Sequence, residues 1–474
     1  MGVVRDPSSQ IGSSSSTLVV GDAQASVDYR MRHPTNQRGT IVMRNSATVI
    51  AIFLVAIALW AQHQGQPSNA PLALTNATVV NVRDGHVVPK ATIVLRNGRI
   101  DSIGQSAPPD GVTVLDLKGK YVLPGLIDAH SHAQDMEAFR RALESGVTTI
   151  RSAGVPNYVD VGFRQLVKNG VVAGPDVIAC GYHVRPRMAP EAFLNHPEYA
   201  DLMSGLDTVE KLRRAVQLNL SHHVDWIKII ATGRVGIPTE DPRRQFYSEA
   251  EIRAVVQEAA TAGVPVEAHA HGDEGAVAAV KAGVRSIEHG TYLSDDTLRL
   301  MKVNGVYLDP TYSIMVQGAE GRSDVTALAA RAAAAGTVAN PTAVQLRELH
   351  MQLRLRNMVV RAHKIGVKIV TGTDEGYGPA SLVRISREMA AFVEMGFTPL
   401  EAIQSATIVN AEMLKLEQSI GVLESGYEAD LIVVDENPLE NIITIQDPLL
   451  VMSNGRVVLN RLNPARVSNS SNNP

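Results

Sequence analysis

The sequence predicts an α/β fold: a TIM-type (β/α)8 barrel with a small β-sandwich domain formed from both flanks of the barrel. Three observations lead there. Between about residues 121 and 420, short apolar runs alternate with amphipathic helical patterns in eight units. Nearly every run ends in polar or charged residues, as barrel strands do where chemistry gathers. The stretches 71–120 and 421–462 carry strand-like runs broken by hairpin turns instead. A doubly wound sheet would also alternate strands and helices, but the eight-unit count and the polar strand ends favour the barrel.

The elements follow in order. Residues 1–42 are rich in Ser, Arg and Asp and read as disorder or as an extension from a misplaced start. Met43 and Arg44 precede a 15-residue apolar run, Ala47 to Ala61, which has the form of a signal peptide over 43–61. The run is short for a membrane span, so no stable span is expected after cleavage. A periplasmic or secreted location follows, with a signal-anchored or cytoplasmic one as the alternative. Residues 62–70 read as a linker. Strand-like runs then occupy 73–82, 91–95, a short run from 100, and 112–116, with turn signals at Asp84-Gly85 and Asn97-Gly98. Barrel strand endings are expected at 127–132, 148–154, 177–181, 226–233, 264–272, 286–290, 306–311 and 368–374. Helical patterns include 249–262, 295–303 and 337–365. The second β-rich part, 421–462, has a turn and strand at 426–435 and a hairpin around Asn454-Gly455. A flexible tail, 463–474, ends the chain.

Composition narrows the function classes. The 474 residues are 45% hydrophobic and 19% charged, with a formal net charge of −4 and no long basic tract. That argues against nucleic acid as the main partner. The single cysteine, Cys180, allows neither an intrachain disulfide nor a cysteine zinc cluster. Any metal must be held by His, Asp, Glu or a less usual ligand.

The run Leu123-Pro-Gly-Leu-Ile-Asp-Ala-His130-Ser131-His132 ends in two histidines spaced by one residue. A strand alternates its side chains with a period of two, so both imidazoles leave on one side. Neutral nitrogen ligands at a strand mouth suit zinc or a related divalent ion. Later strand ends add Lys228, His269, His289 and Asp374. His271 lies two residues beyond His269, on the same side and a layer further out. Glu267 and Glu288 are expected to point away from the pore.

With these residues assembled, the chain resembles the amidohydrolase superfamily, in its imidazolonepropionase-like and prolidase-like branches. The matching segments are Tyr121-Val-Leu-Pro-Gly-Leu-Ile-Asp-Ala-His-Ser-His132, Ala268-His-Ala-His-Gly-Asp273, Ser286-Ile-Glu-His-Gly-Thr-Tyr292, Gly372-Thr-Asp374 and the stretch from Gly421 to Asp435. The resemblance implies a centre of two divalent ions, with zinc the first choice. His130, His132 and Asp374 would hold the more buried ion, and His269 and His289 the second. Lys228 would bridge both as a carbon dioxide adduct, because a free ammonium has no lone pair to offer a metal. Asp374 would also accept the proton of the attacking water.

The reaction so implied is hydrolysis of an amide or peptide bond by metal-activated water. Tyr292 is placed to contact a carbonyl oxygen. Possible substrate-binding residues are His183, Arg185 and Arg187 in the third strand's loop, with Arg234, His271 and Arg151. A dipeptide or N-acyl amino acid is the leading substrate class. A cyclic-amide hydrolase or a lactonase is the alternative, and a noncatalytic small-molecule binding protein the remote one. A homo-oligomer is compatible with the sequence.

Overall fold

The computed structural model describes residues 71–315 and 343–462, apart from 236, 238, 380, 382 and 383. The expected extension, signal peptide, linker and C-terminal tail lie outside the described residues, as do 337–342 of the helix expected over 337–365. Among the described residues no helix is long and apolar enough to cross a membrane.

Five strands open the described chain: β1 (Leu72–Val80), β2 (Val87–Arg96), β3 (Arg99–Gly104), β4 (Thr113–Asp116) and β5 (Tyr121–Pro124). Seven short parallel strands follow: β6 (Leu126–Ser131), β7 (Val147–Ser152), β8 (Asp176–Ile178), β9 (Ile227–Ile230), β10 (Val266–Ala270), β11 (Ser286–His289) and β12 (Tyr307–Asp309). Three more strands come near the end: β13 (Leu431–Val434), β14 (Leu450–Ser453) and β15 (Arg456–Asn460).

Strands from both flanks lie in one eight-stranded sheet, in the order β15-β14-β13-β5-β1-β2-β3, with β4 paired to β1. Its own core is apolar and includes Leu74, Ile93, Ile100, Val122, Leu431 and Met452. The two Asn-Gly signals make the hairpins they predict. Asn97 and Gly98 join Arg96 to Arg99 with φ of 50° and 77°, and Asn454 and Gly455 join Ser453 to Arg456 with φ of 51° and 74°. Both pairs are left-handed, which matches the twist of the strands they connect. One strand departs from expectation. The barrel region is expected to begin at about residue 121, yet Tyr121–Pro124 forms β5, which pairs with β13 and β1 in the flanking sheet. Its alternation is hidden because Val122, Leu123 and Pro124 are all buried.

The middle of the chain forms two parallel sheets, β6-β7-β8 and β9-β10-β11-β12. Isolated parallel bridges extend their edges: Val184 to Ile229, Leu308 to Ile369, and Ser131 to Glu375. The eighth expected strand, 368–374, makes backbone bonds to both neighbours but no regular ladder. Asp374, with φ of 55°, breaks the extended backbone there. Helices lie between the strands. Glu249–Ala260 starts with a capping box in which Ser248 and Glu251 satisfy each other's backbone N–H groups, and it buries Ile252, Val255 and Ala259. Asp295–Asn304 and Ala343–Ile365 fall where the helical patterns at 295–303 and 337–365 are read.

Candidate metal centre

The strand ends bring six metal-ligating side chains together. Donor atoms of His269, His271 and His289 lie within 4.8 Å of one another, and so do those of His130, His289 and Asp374. Asp374 Oδ1 stands 3.4 Å from His130 Nε2 and 3.1 Å from His132 Nε2. His289 therefore belongs to both groups and joins them. His271, expected as a substrate contact, stacks on His289 at 4.7 Å between ring centroids and completes the first group.

Four of these histidines are tethered through Nδ1. His130 bonds Glu288 at 2.8 Å, His132 the Gly154 carbonyl at 2.8 Å, His271 the Thr291 hydroxyl at 2.8 Å and His289 the Thr311 hydroxyl at 2.7 Å. Such partners fix ring orientation and leave Nε2 free to face the cluster. The cost appears in the backbone. His289, Thr311 and Asp374 all have left-handed φ, of 72°, 46° and 55°. Each such residue costs of order 1–3 kcal/mol and persists because its surroundings hold it. The turn at His289 explains how Glu288 and His289, adjacent on β11, both reach the interior.

Charge follows burial. Burial drives the His269 and His289 pKa values well below the ordinary imidazole range, helped by neighbouring histidines, and pushes His271 down to about 3. These rings are neutral and keep a lone pair. Burial and Lys228 oppose a proton on His130, but Asp374 and Glu288 outweigh them and lift it to about 9. A metal at His130 must displace that proton. Burial also opposes the charge on Asp374, yet His130, His132 and His289 hold its carboxyl well below the usual range.

Beneath the histidines lies a buried ionic layer. Arg151 is fully buried, 2.8 Å from Glu288, 2.9 Å from Glu267 and 3.8 Å from Asp309. Trp226 lies against its guanidinium at 4.8 Å. Burial, reinforced by Glu288, raises the Asp309 pKa well above the ordinary carboxyl range, so Asp309 keeps its proton. This layer corrects two expectations. Glu267 and Glu288 point inward, since Glu267 shares a strand face with His269 two residues on. Arg151, expected as a possible substrate contact, is enclosed among carboxyl groups out of any substrate's reach. Lys228 sits nearby, 2% exposed; its Nζ has no hydrogen-bond partner and its closest carboxylate oxygen is that of Glu267, at 3.8 Å.

The amidohydrolase family model matches residues 121–458. The chain belongs to the amidohydrolase family. Ochratoxinase from Aspergillus niger is 29% identical over 423 residues, covering 78% of this chain and 82% of that enzyme. A putative prolidase from Bifidobacterium longum superposes with a TM-score of 0.68 at 32% identity, over 82% of this chain and 95% of that one. A Xaa-Pro dipeptidase with methionine in its active site gives 0.70 at 28% identity, over 82% and 99%. With its histidine and carboxylate clusters, this amidohydrolase is a metal-dependent hydrolase acting on carbon–nitrogen bonds of small substrates.

The other residues singled out in the sequence surround the amidohydrolase centre unequally. His183 bonds the Ala153 carbonyl at 2.8 Å, with its ring 6.1 Å from that of His132. Gly154 makes this possible: a Cβ there would fall 2.2 Å from the His183 ring, and its φ is +103°. Arg185 is half-buried and makes no hydrogen bond or ion pair with the described residues; burial, then Arg234, lowers its pKa, and Glu240 opposes them. Arg234 is instead engaged by Glu240 at 2.6 and 3.1 Å, so its charge is already answered within its own loop. Arg187 is exposed. Tyr292 is half-buried between Arg243 and Arg354, whose guanidinium carbons stand 5.3 and 5.8 Å from its ring centre. A cavity of about 610 Å³ lies elsewhere, lined by Thr149, Asp176, Glu428 and Ser453 among others, and none of the clustered histidines borders it.

Sequence reasoning passed over Asp128, Thr291, Thr311 and Glu388. Asp128 is fully buried and accepts from the His130 and Thr373 backbone N–H groups and from the Thr373 and Tyr377 hydroxyls. Glu388 accepts from the backbone N–H groups of Tyr312 and Ser313, immediately after Thr311. The one available signal was a carboxylate two residues before His130 in an otherwise apolar run.

Proposed function

We propose that this amidohydrolase cleaves the amide bond of a dipeptide or N-acyl amino acid whose free carboxylate is received by Arg185. The observation that carries the substrate class is that guanidinium: half-buried, without a hydrogen-bond or ion-pair partner among the described residues, and two residues from His183. A carboxylate is the natural partner of a planar, partly desolvated cation. The dipeptidase and prolidase relatives support the same class.

In this reading His130, His132 and Asp374 hold one divalent ion, and His269 and His289, with His271 beside them, hold the other. The donor set is rich in nitrogen and suits zinc. Lys228 fits a carboxylated bridge, because its buried Nζ has no hydrogen bond, with Glu267 3.8 Å away, and carboxylation would make it an anionic oxygen ligand. When bound, the two ions would polarise the scissile carbonyl and acidify a water toward neutral pH. Asp374 is ionised, and its Oδ1 is occupied by the two imidazoles. Oδ2 is left to take the proton of the attacking water and hand it to the leaving nitrogen. Tyr292 would lie over the substrate carbonyl from the rim.

The same reading closes β6 to β12 and residues 368–375 into a (β/α)8 barrel, on the strength of the three parallel bridges at the sheet edges. It also keeps 43–61 as an export signal, which N-terminal sequencing of exported protein tests. Substrate class is tested by comparing kcat/KM for N-acyl amino acids with that for the same compounds capped as carboxamides. A strong preference for the free acid, erased in Arg185→Leu, is expected. Equal rates on both, or no hydrolysis of either by metal-loaded protein, would sink the proposal.

A further inference from the structure

A second convergence of metal-ligating groups lies away from the amidohydrolase centre, where the loop after β8 packs on the helix Val209–Ser221. His196 Nδ1 stands 3.2 Å from Glu198 Oε1, and His222 Nε2 stands 3.0 Å from the same oxygen. Donor atoms of all three residues lie within 4.8 Å of one another. We propose that His196, Glu198 and His222 form a separate site for a divalent ion of the zinc class, clamping the loop that carries His183 and Arg185.

The donor set is two imidazoles and one carboxylate, which suits zinc, cobalt or nickel better than calcium or magnesium. Tetrahedral zinc with bonds of about 2.0–2.1 Å needs its donors roughly 3.3 Å apart. The two observed donor separations from Glu198 are already close to that spacing.

The rings are also held in place, which chance surface histidines are not. His222 stacks on Tyr158 with centroids 3.8 Å apart and planes at 12°. His196 meets Tyr158 and Tyr182 edge-on at 5.2 and 5.5 Å. The two imidazoles are perpendicular, 5.4 Å apart. Tyr158 and Tyr199 share a buried hydroxyl–hydroxyl bond behind them. The backbone is placed by helix ends: His196 separates the helix Pro190–Asn195 from the turn Pro197–Leu202, and His222 caps the C-terminus of Val209–Ser221. All three side chains remain partly exposed, at 17%, 37% and 31%, so an ion can enter from solvent and keep a water as fourth ligand.

The link to the catalytic loop is Tyr182. Its ring packs on Tyr158, His196 and Tyr199, its hydroxyl bonds Asn157, and its chain neighbour is His183. An ion drawing His196 and His222 together would stiffen the wall against which Tyr182 rests, and with it the start of the substrate loop.

The test is equilibrium dialysis of the full chain against buffered zinc, with metal content measured per chain for wild type, His222→Asn and Glu198→Gln. Thermal unfolding with and without zinc is followed in parallel. Each variant is expected to bind one equivalent fewer than wild type and to lose part of the zinc-induced rise in Tm, whatever the catalytic centre holds. Glu198→Gln is nearly isosteric, so it keeps the test decisive if His222→Asn folds poorly. Equal zinc content and equal Tm response in wild type and Glu198→Gln would overturn the proposal and leave the cluster as a surface ion pair.

Discussion

Two layers of charge occupy successive positions on the same strands, and they behave as opposites. Glu267 and His269 are two residues apart on β10, Glu288 and His289 adjacent on β11, and all four side chains face inward. In the lower layer Arg151 is enclosed by Glu267, Glu288 and Asp309, so its charge is answered, although both Asp309 oxygens lack a hydrogen-bond partner and Asp309, Glu288 and His130 also bring donor atoms within 4.8 Å of one another. In the upper layer neutral imidazoles and the ionised Asp374 converge with donor capacity to spare. The layers meet at Glu288, which bonds both Arg151 and His130 Nδ1. Depth along the strand and residue type together separate the two layers.

The comparison breaks most visibly at Asp374. Asp374→Asn should lower kcat by about 100- to 10,000-fold through loss of the proton acceptor, measured by steady-state kinetics at matched metal content. In the lower layer, Arg151→Met strands two buried carboxylates and should cost about 3–5 kcal/mol of stability, read from urea unfolding.

Glu388 sharpens the comparison because it supports the upper layer through the turn at Thr311. Burial lifts its pKa from 4.5 to about 7. The folded state therefore holds this proton where the unfolded chain has released it. The resulting stability is present below pH 4.5 and is lost as pH rises toward 7, by about 3 kcal/mol in all. Glu388→Gln should flatten that slope in unfolding titrations between pH 5 and 8, and an unchanged slope would remove Glu388 as its source. The smallest effect belongs to the rim. Arg185→Leu should raise KM for carboxylate substrates about 10- to 150-fold, the worth of a charged hydrogen bond, with kcat little changed.

Much of the upper layer was legible because strand periodicity and local motif agree. His130 and His132, and His269 and His271, keep one side by their spacing of two, and Asp374 ends an apolar run. The lower layer was misread at three residues, Arg151, Glu267 and Glu288. Glu267 obeys the same period as His269, so its inward direction was available in the sequence. Glu288 could not be placed that way, since only the left-handed turn at His289 lets adjacent residues share the interior. Arg234 was a candidate by charge alone, and its partner Glu240 lies six residues on in the same loop. Thr291 and Thr311 gave no signal, because a hydroxyl that orients an imidazole has no characteristic spacing. The flanking sheet was read from its two Asn-Gly turns, whereas β5 was lost to the barrel because fully buried short strands carry no alternation.

The most direct test of the two-layer account measures kcat per folded, metal-loaded molecule and unfolding free energy on Asp374→Asn and Arg151→Met side by side. A crossover is expected: Asp374→Asn loses turnover with a smaller loss of stability than Arg151→Met, and Arg151→Met loses stability while its folded fraction keeps most of its turnover. Near-wild-type turnover in Asp374→Asn, or a loss of stability there as large as in Arg151→Met, would contradict it.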